Sequence, residues 1–600
     1  MSVPATFDLL TLRNAYAEGI VTPEEVVTEA LLRADDKRFP NVWITKTDRD
    51  RLLGMARALP SRADDKLPLY GVPFAIKDNI DLAETTTTAG CPDFVYLPSK
   101  SATVVERLIA AGALPIGKTN LDQFATGLVG TRSPYGNCES VFDARYISGG
   151  SSSGSAVAVA AGMVTFALGT DTAGSGRIPA AFNNIVGHKP TRGLLSNHGV
   201  VPACRSLDCV SILAGSCHDA QVVLDVAAGF DAADPYSRPR PKTVAVIPEV
   251  FRFGVLPPAQ REFFGDAEAT ELYESAIARL RDRGGEPVEF DYTPFAQAAA
   301  LLYAGPWVAE RRAALGDFFD GHRDVIHPVV REIIAGAAKF NAAGVFDGQY
   351  RLQALSQIVR EVWRKLDMLL LPTTGTTYRI EAVLLDPIRL NSNLGHYTNF
   401  VNLLDLTALA LPAGFRPTNG LPFGVTLVGP AFSDDALLAL GARYHHALGG
   451  TIGATQAKIV QQPLPPAKNE GVLLAVVGAH LRGQPLNHQL TSRRARFVRK
   501  ARTAPCYRLY ALANTQPPKP GLRRVAEKLP PGIEIEVWAL DEAAFGSFVA
   551  EIPPPLGIGT LELEDGTRVK GFLCEPIGLE GARDITEFGG WLAYRQASGK

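Results

Sequence analysis

The chain has 600 residues with nearly balanced charge, 60 basic against 62 acidic, and 46% hydrophobic content. That length exceeds what one hydrophobic core usually organises, so at least two domains are expected. The charge balance argues against wholesale nucleic-acid or membrane-surface binding, and a charged ligand has to be met by local groups. The densest basic run, Arg493, Arg494, Arg496, Arg499, Lys500 and Arg502, reads as a solvated or inter-domain face rather than a nucleic-acid site. Seven scattered cysteines without a Cys-x-x-Cys pair indicate neither a disulfide framework nor a zinc knuckle. Cys217–His218 and His445–His446 lack further ligands at metal-binding spacing. The first residues hold no basic segment followed by an apolar one, and the most apolar stretch, Ala156–Leu168, is short for a bilayer. A cytoplasmic protein is expected.

Taken in chain order, Thr22-Pro23-Glu24-Glu25 is a capping box with proline at the first helical position, opening a helix to about Asp35. Leu69–Ile76 is a short apolar run that reads as a buried strand delivering Lys77 at its end. Thr103–Ala111 reads as a helix, Ala113–Gly117 as a strand, and Ala156–Met163 as a buried helix. Strand-like pieces follow at Val164–Leu168, Thr243–Ile247 and Met368–Leu371. The alternation predicts an α/β core with a largely buried sheet. Gly449-Gly450 and the proline-rich Gln461–Pro466 mark a boundary. The expected division is a first domain at 1–455, a linker at 456–470 and a smaller, β-rich domain at 471–600. Its strands are expected at Val472–Val477, Tyr507–Ala511, Ile533–Leu540, Gly557–Leu563 and Val569–Cys574.

The chemistry concentrates in two glycine- and serine-rich runs, SGGSSSGS at 148–155 and DTAGSGR at 171–177. A phosphate cradle is a poor reading, because no Gly-Lys-Ser/Thr follows. A flexible linker is no better, because the first run leads directly into the buried Ala/Val helix. Glycines at a buried helix start let backbone N–H groups approach a ligand closely. A serine needs a base to become a nucleophile, and no histidine lies between Ser148 and Gly176. Lysine serves as a base only when burial depresses its pKa, and Lys77 follows the apolar run Val72–Ile76. Strand alternation points the neighbouring Asp78 away from Lys77. Arg177 is expected to pair with Asp171, and His188 to be structural.

GVPFAIKDNID, GGSSSGS and DTAGSGRIPAAFNNIVGHKPT together resemble the amidase signature family, with 74 residues from Lys77 to Ser151 and 24 from Ser151 to Ser175. The resemblance implies a Ser-Ser-Lys triad with Ser175 attacking, Ser151 relaying the proton and Lys77 receiving it. It also implies an oxyanion hole from the backbone of Thr172, Ala173, Gly174 and Ser175. The DTAGSGR variant and the segments VVGAHLRGQPLN, PPPLGIGTLELEDG, GFLCEP and ARDITEFGGW resemble the allophanate hydrolases, the last part with a γ-glutamyl cyclotransferase-like fold.

That resemblance implies substrate contacts from Tyr303, from Arg311 eight residues later, and from Gly127. Gly305-Pro306 is expected to start the helix carrying Arg311. The implied reaction hydrolyses the terminal amide of allophanate (urea-1-carboxylate) to ammonia and N-carboxycarbamate, which ends as carbon dioxide and ammonia. No cofactor or metal is called for. His480 is the residue in the second domain that a role in decarboxylation points to, with His488 second. The chain has no Met-Lys-Met biotin-attachment pattern, so a separate biotin-dependent urea carboxylase is the expected metabolic partner; a homodimer is expected. Rival readings are a broader amidase or ureido hydrolase and a non-catalytic amidotransferase-like subunit.

Overall fold

The computed structural model describes residues 3–60, 67–241, 247–248, 250–459, 471–493, 495–513, 515–528 and 530–598. Two compact units result, the first built from Met1–Arg240 and Ile247–Pro466, the second chiefly from Ala467–Lys600. The proline-rich Gln461–Pro466 lies outside the described residues, as do most of Thr243–Ile247 and Arg494 of the basic run.

The first unit is organised by one mixed sheet of eleven strands. In chain order these are β1 (Trp43–Lys46), β2 (Pro73–Lys77), β3 (Leu114–Thr119), β4 (Phe166–Asp171), β5 (Val186–Lys189), β6 (Cys209–Ala214), β7 (Phe251–Val255), β8 (Gly285–Glu289), β9 (Met368–Pro372), β10 (Leu406–Phe415) and β11 (Pro422–Pro430). Their spatial order is β1-β3-β2-β4-β6-β5-β10-β11-β9-β7-β8. The central strands are buried along their whole length, β2, β3 and β4 among them. Helices cover such strands on both faces, which is why they read as continuous apolar runs. β2 runs parallel to β4, with Ile76 opposite Leu168, so Lys77 and Asp171 end their strands at the same edge.

Local signals explain the helices that flank this edge. The capping box at Thr22 forms as expected, with the Thr22 and Glu25 side chains reciprocally bonded to each other's backbone, and the helix runs Pro23–Ala34. The buried helix after the first serine run spans Ser153–Ala160, three residues earlier than the apolar stretch indicated, and all eight residues are buried. The serines can enter the helix because they are satisfied internally: Ser155 Oγ donates to Leu168 O at 3.0 Å. Gly162, at φ +71°, ends it, its N–H donating to Val159 O.

The second unit is β-rich. Its strands are β12 (Val472–Val476), β13 (Arg496–Arg502), β14 (Tyr507–Ala511), β15 (Pro520–Arg524), β16 (Glu534–Leu540), β17 (Leu556–Glu562), β18 (Arg568–Cys574) and β19 (Arg583–Asp584). They form a five-stranded sheet, β13-β16-β12-β18-β17, and a three-stranded one, β15-β14-β19. The described part of the basic run is partly to largely exposed. Much of it forms edge strand β13, where Arg499 pairs with Asp565 at 2.6 Å and Arg502 with Glu534 at 2.8 Å. Charged side chains on an edge strand discourage pairing with another chain. Among the described residues, no helix is long and apolar enough to cross a membrane.

Candidate active site

The site forms where β2 and β4 end. Lys77, wholly buried at the end of β2, has its Nζ 2.7 Å from Ser151 Oγ and 2.7 Å from Thr170 Oγ1. Burial pushes the Lys77 ammonium down to about 7, against the pull of the Asp122, Asp171 and Asp208 carboxylates. Asp78 does not share this pocket. It pairs with Lys118 at 3.1 Å and accepts from the Thr88 N–H.

The turn after β4 carries Ser175. Gly174 sits at φ +139°, a region that disfavours side chains, and a Cβ there would meet Thr398 Oγ1 at 2.5 Å. Among the described residues, the N–H groups of Ala173, Gly174 and Ser175 find no acceptor. The turn is held by a buried bidentate pair, Arg177 Nε and Nη2 on Asp171 at 2.9 Å each. Burial alone would raise Asp171, but the Arg177 guanidinium and Lys189 hold it below the usual carboxylate range. Asn402 Nδ2 adds bonds to Asp171 O and Leu207 O. His188 Nε2 lies 3.2 Å from Asp434 Oδ1.

Ser175 and Ser151 are brought together by backbone, Ser152 N–H donating to Ser175 O at 3.2 Å. Their hydroxyls share no hydrogen bond; Ser175 Oγ donates to Gly127 O at 3.3 Å. Gly127 must be glycine, since a Cβ would fall 2.4 Å from Asp122 Oδ2.

Tyr303 ends the helix Thr293–Ala304, and Arg311 lies on the next helix, Trp307–Leu315, with Pro306 as its N-cap. Arg311 is 2% exposed, which excludes a surface arginine. Its Nη1 donates to Thr126 Oγ1 at 3.0 Å and its Nη2 to Tyr303 Oη at 3.3 Å, while Nε is unpartnered. Among the described residues, no carboxylate forms an ion pair with it. Asp208 ties this side to the serine turn, accepting from the Thr172 hydroxyl and from the N–H groups of Ala203 and Cys204. Burial pushes Asp208 up to about 6, against those bonds and the Arg311 charge. Sequence reasoning does not single out Thr126, Thr170 and Asp208. Threonine and aspartate are common, and nothing local distinguishes these three.

The first unit matches the amidase family model over residues 25–438, more than two thirds of the chain. The chain belongs to the amidase family. Residues 472–596 match the allophanate hydrolase C-terminal domain. The chain is 45% identical to the urea amidolyase of Lachancea kluyveri over 597 residues, covering 96% of this chain and 32% of that protein. It thus spans about a third of the length of such curated relatives. The allophanate hydrolase of Kluyveromyces lactis superposes with a TM-score of 0.87 at 42% identity, covering 99% of this chain and all of that one. A glutamyl-tRNA(Gln) amidotransferase component from Symbiobacterium thermophilum is 36% identical, but 95% of it covers only 72% of this chain. More than a quarter of this chain has no counterpart in that match.

In the second unit, His480 lines a cavity of about 180 Å³ with Gln489, Lys519, Glu551, Phe548 and Phe572. Its ring stacks on Phe572, and its Nε2 lies 2.8 Å from Gln489 Oε1. Burial lowers its pKa, favouring the neutral ring. His488 is exposed and bonds Pro485 O. Among the described residues, no cluster of three or more His, Cys, Asp or Glu side chains could hold a metal ion.

Proposed function

We propose that this chain is an allophanate hydrolase working through Lys77, Ser151 and Ser175. The observation that carries the substrate choice is Arg311: a buried guanidinium without a carboxylate partner, bonded to the residue next to Gly127, whose carbonyl accepts from Ser175. An unpaired buried charge is costly unless a counter-ion arrives, and allophanate brings one carboxylate.

Neutral Lys77 takes a proton from Ser151 as Ser151 takes one from Ser175. Ser175 Oγ, turned from Gly127 O, attacks the terminal carbonyl, and the free N–H groups of the turn at Thr172–Ser175 receive the oxyanion. The proton returns to the leaving nitrogen, releasing ammonia. Water then cleaves the acyl-enzyme to N-carboxycarbamate. The cavity at His480 is the place where the appended domain acts on that product. The same reading makes the protein a cytoplasmic homodimer acting after a biotin-dependent urea carboxylase.

The test is ammonia release from allophanate, malonamate, biuret and simple amides. The proposal expects allophanate to be strongly preferred. Equal rates on charged and neutral amides would support the broader amidase, and no release from any of them the amidotransferase-like subunit.

A further inference from the structure

Thr126 carries two buried guanidiniums. Arg311 Nη1 donates to its hydroxyl at 3.0 Å, and Arg132 Nη1 donates to its carbonyl at 3.0 Å. Arg132 also reaches Pro387 O at 2.6 Å, is 1% exposed and leaves its Nε unpartnered. Among the described residues, Arg132 makes no ion pair.

The backbone before Thr126 explains why such a brace is needed. Phe124 and Ala125 sit at φ +52° and +51°, a left-handed pair that neither side chain favours. The loop is kept there from two sides. The Asp122 carboxylate accepts the N–H groups of Val129, Gly130 and Arg132, and the Arg132 side chain clamps the Thr126 carbonyl. Displacing Thr126 would move the hydroxyl that steadies Arg311 and the adjoining Gly127 carbonyl.

The charge matters as much as the clamp. Burial pulls Arg132 below the ordinary arginine range, with Asp122 and Tyr303 opposing and Arg311 adding repulsion. It nevertheless stays protonated at neutral pH, as arginines do. Two like charges are therefore buried around one residue; Asp122 acts on Arg132 and Asp208 on Arg311, but among the described residues neither arginine makes an ion pair. On the proposed reading, the acyl-enzyme holds one carboxylate. Adding water across its Ser175 ester returns the serine hydroxyl and yields a product with two carboxylates, the released proton passing through the lysine relay to solvent. Negative charge in the site doubles in that step.

We infer that Arg132 is a positioning residue for this site, one that fixes Thr126 and thereby Arg311, and whose charge tunes the site to dianionic occupants. The inference rests on the proposed function for its occupants, not for its geometry.

The experiment measures binding of malonate, a dianion with the carboxylate spacing of N-carboxycarbamate, and of malonamate, a monoanion. Calorimetry in a Ser175→Ala background removes turnover. Adding Arg132→Gln or Arg132→Met should weaken malonate about tenfold or more beyond any loss for malonamate, the scale of a unit charge felt through several ångströms of protein. Arg132→Lys should preserve the malonate-to-malonamate ratio while lowering kcat on allophanate in an otherwise wild-type chain. Equal losses for both ligands in the neutral variants, or a Lys variant with the same changed ratio as Gln, overturns the inference. Should neither neutral variant fold, an Arg132→Lys malonate-to-malonamate ratio unlike the parent's overturns the inference, and a preserved ratio with lowered kcat upholds it. Wild-type turnover of allophanate is scored separately, so failure of the functional reading is told apart from failure of this one.

Discussion

The turn Asp171–Arg177 and the loop Leu121–Arg132 each carry a buried arginine, yet their charges are balanced differently. In the turn, Arg177 and Asp171 neutralise each other through a bidentate pair. Beside the loop, Arg311 and Arg132 have only neutral acceptors, Thr126, Tyr303 and Pro387 among them. The first region is closed by a direct ion pair and serves to hold a backbone turn. In the second, Asp208 and Asp122 act on the arginines only without direct ion-pair contact, so the guanidiniums keep room for an anion. A buried arginine thus reads as structure or as a binding group according to what faces it, not according to its burial.

Ser175→Ala should lower kcat on the order of 10⁴- to 10⁶-fold while thermal unfolding stays that of the parent. Retention of a tenth of the rate would place the nucleophile elsewhere. Lys77→Arg keeps charge without usable basicity and should be as inactive as Lys77→Ala. With Lys77 as the proposed base, the neutral amine is the active form, so kcat/KM should rise with pH through about 7 and fall below it. A profile flat from pH 5 to 9, or an active Arg variant, would reduce Lys77 to a supplier of charge.

Arg177→Met sharpens the contrast from the structural side. It leaves Asp171 buried without its partner and should destabilise the first unit by about 3–5 kcal/mol in urea unfolding. A loss under about 1 kcal/mol would mean that water or Lys189 replaces the pair. The smallest effect on the first cut is expected from His480→Ala. Release of the first ammonia should change less than about twofold, as for independent sites, while rapid trapping shows N-carboxycarbamate persisting longer. Unchanged persistence would leave His480 a packing residue against Phe572.

Much of this site is legible in the sequence because its signals are local. A lysine after a buried run and two glycine- and serine-rich turns are visible in one dimension, whereas Tyr303, Arg311 and Gly127 come only through the resemblance to the allophanate hydrolases. Thr126, Thr170, Asp208 and Arg132 are not visible there, since each takes its role from elements far away in sequence. Nothing in the run GTRSPYG marks Arg132 for burial; only the fold buries it. Likewise β13 escapes a pattern reading because arginines at an edge strand mask its alternation, and the eleven-strand order depends on long-range pairing that no local pattern encodes.

On the proposed function, Arg311, buried without an ion-pair partner among the described residues, selects a carboxylate-bearing amide. The most direct test is kcat/KM of Arg311→Gln on allophanate against a neutral amide such as propionamide. The account expects a loss of about 10- to 150-fold on allophanate, the equivalent of about 1.5–3 kcal/mol for a charge-assisted contact, with little change on the neutral substrate. Equal losses on both substrates would contradict it and make Arg311 a structural residue like Arg177.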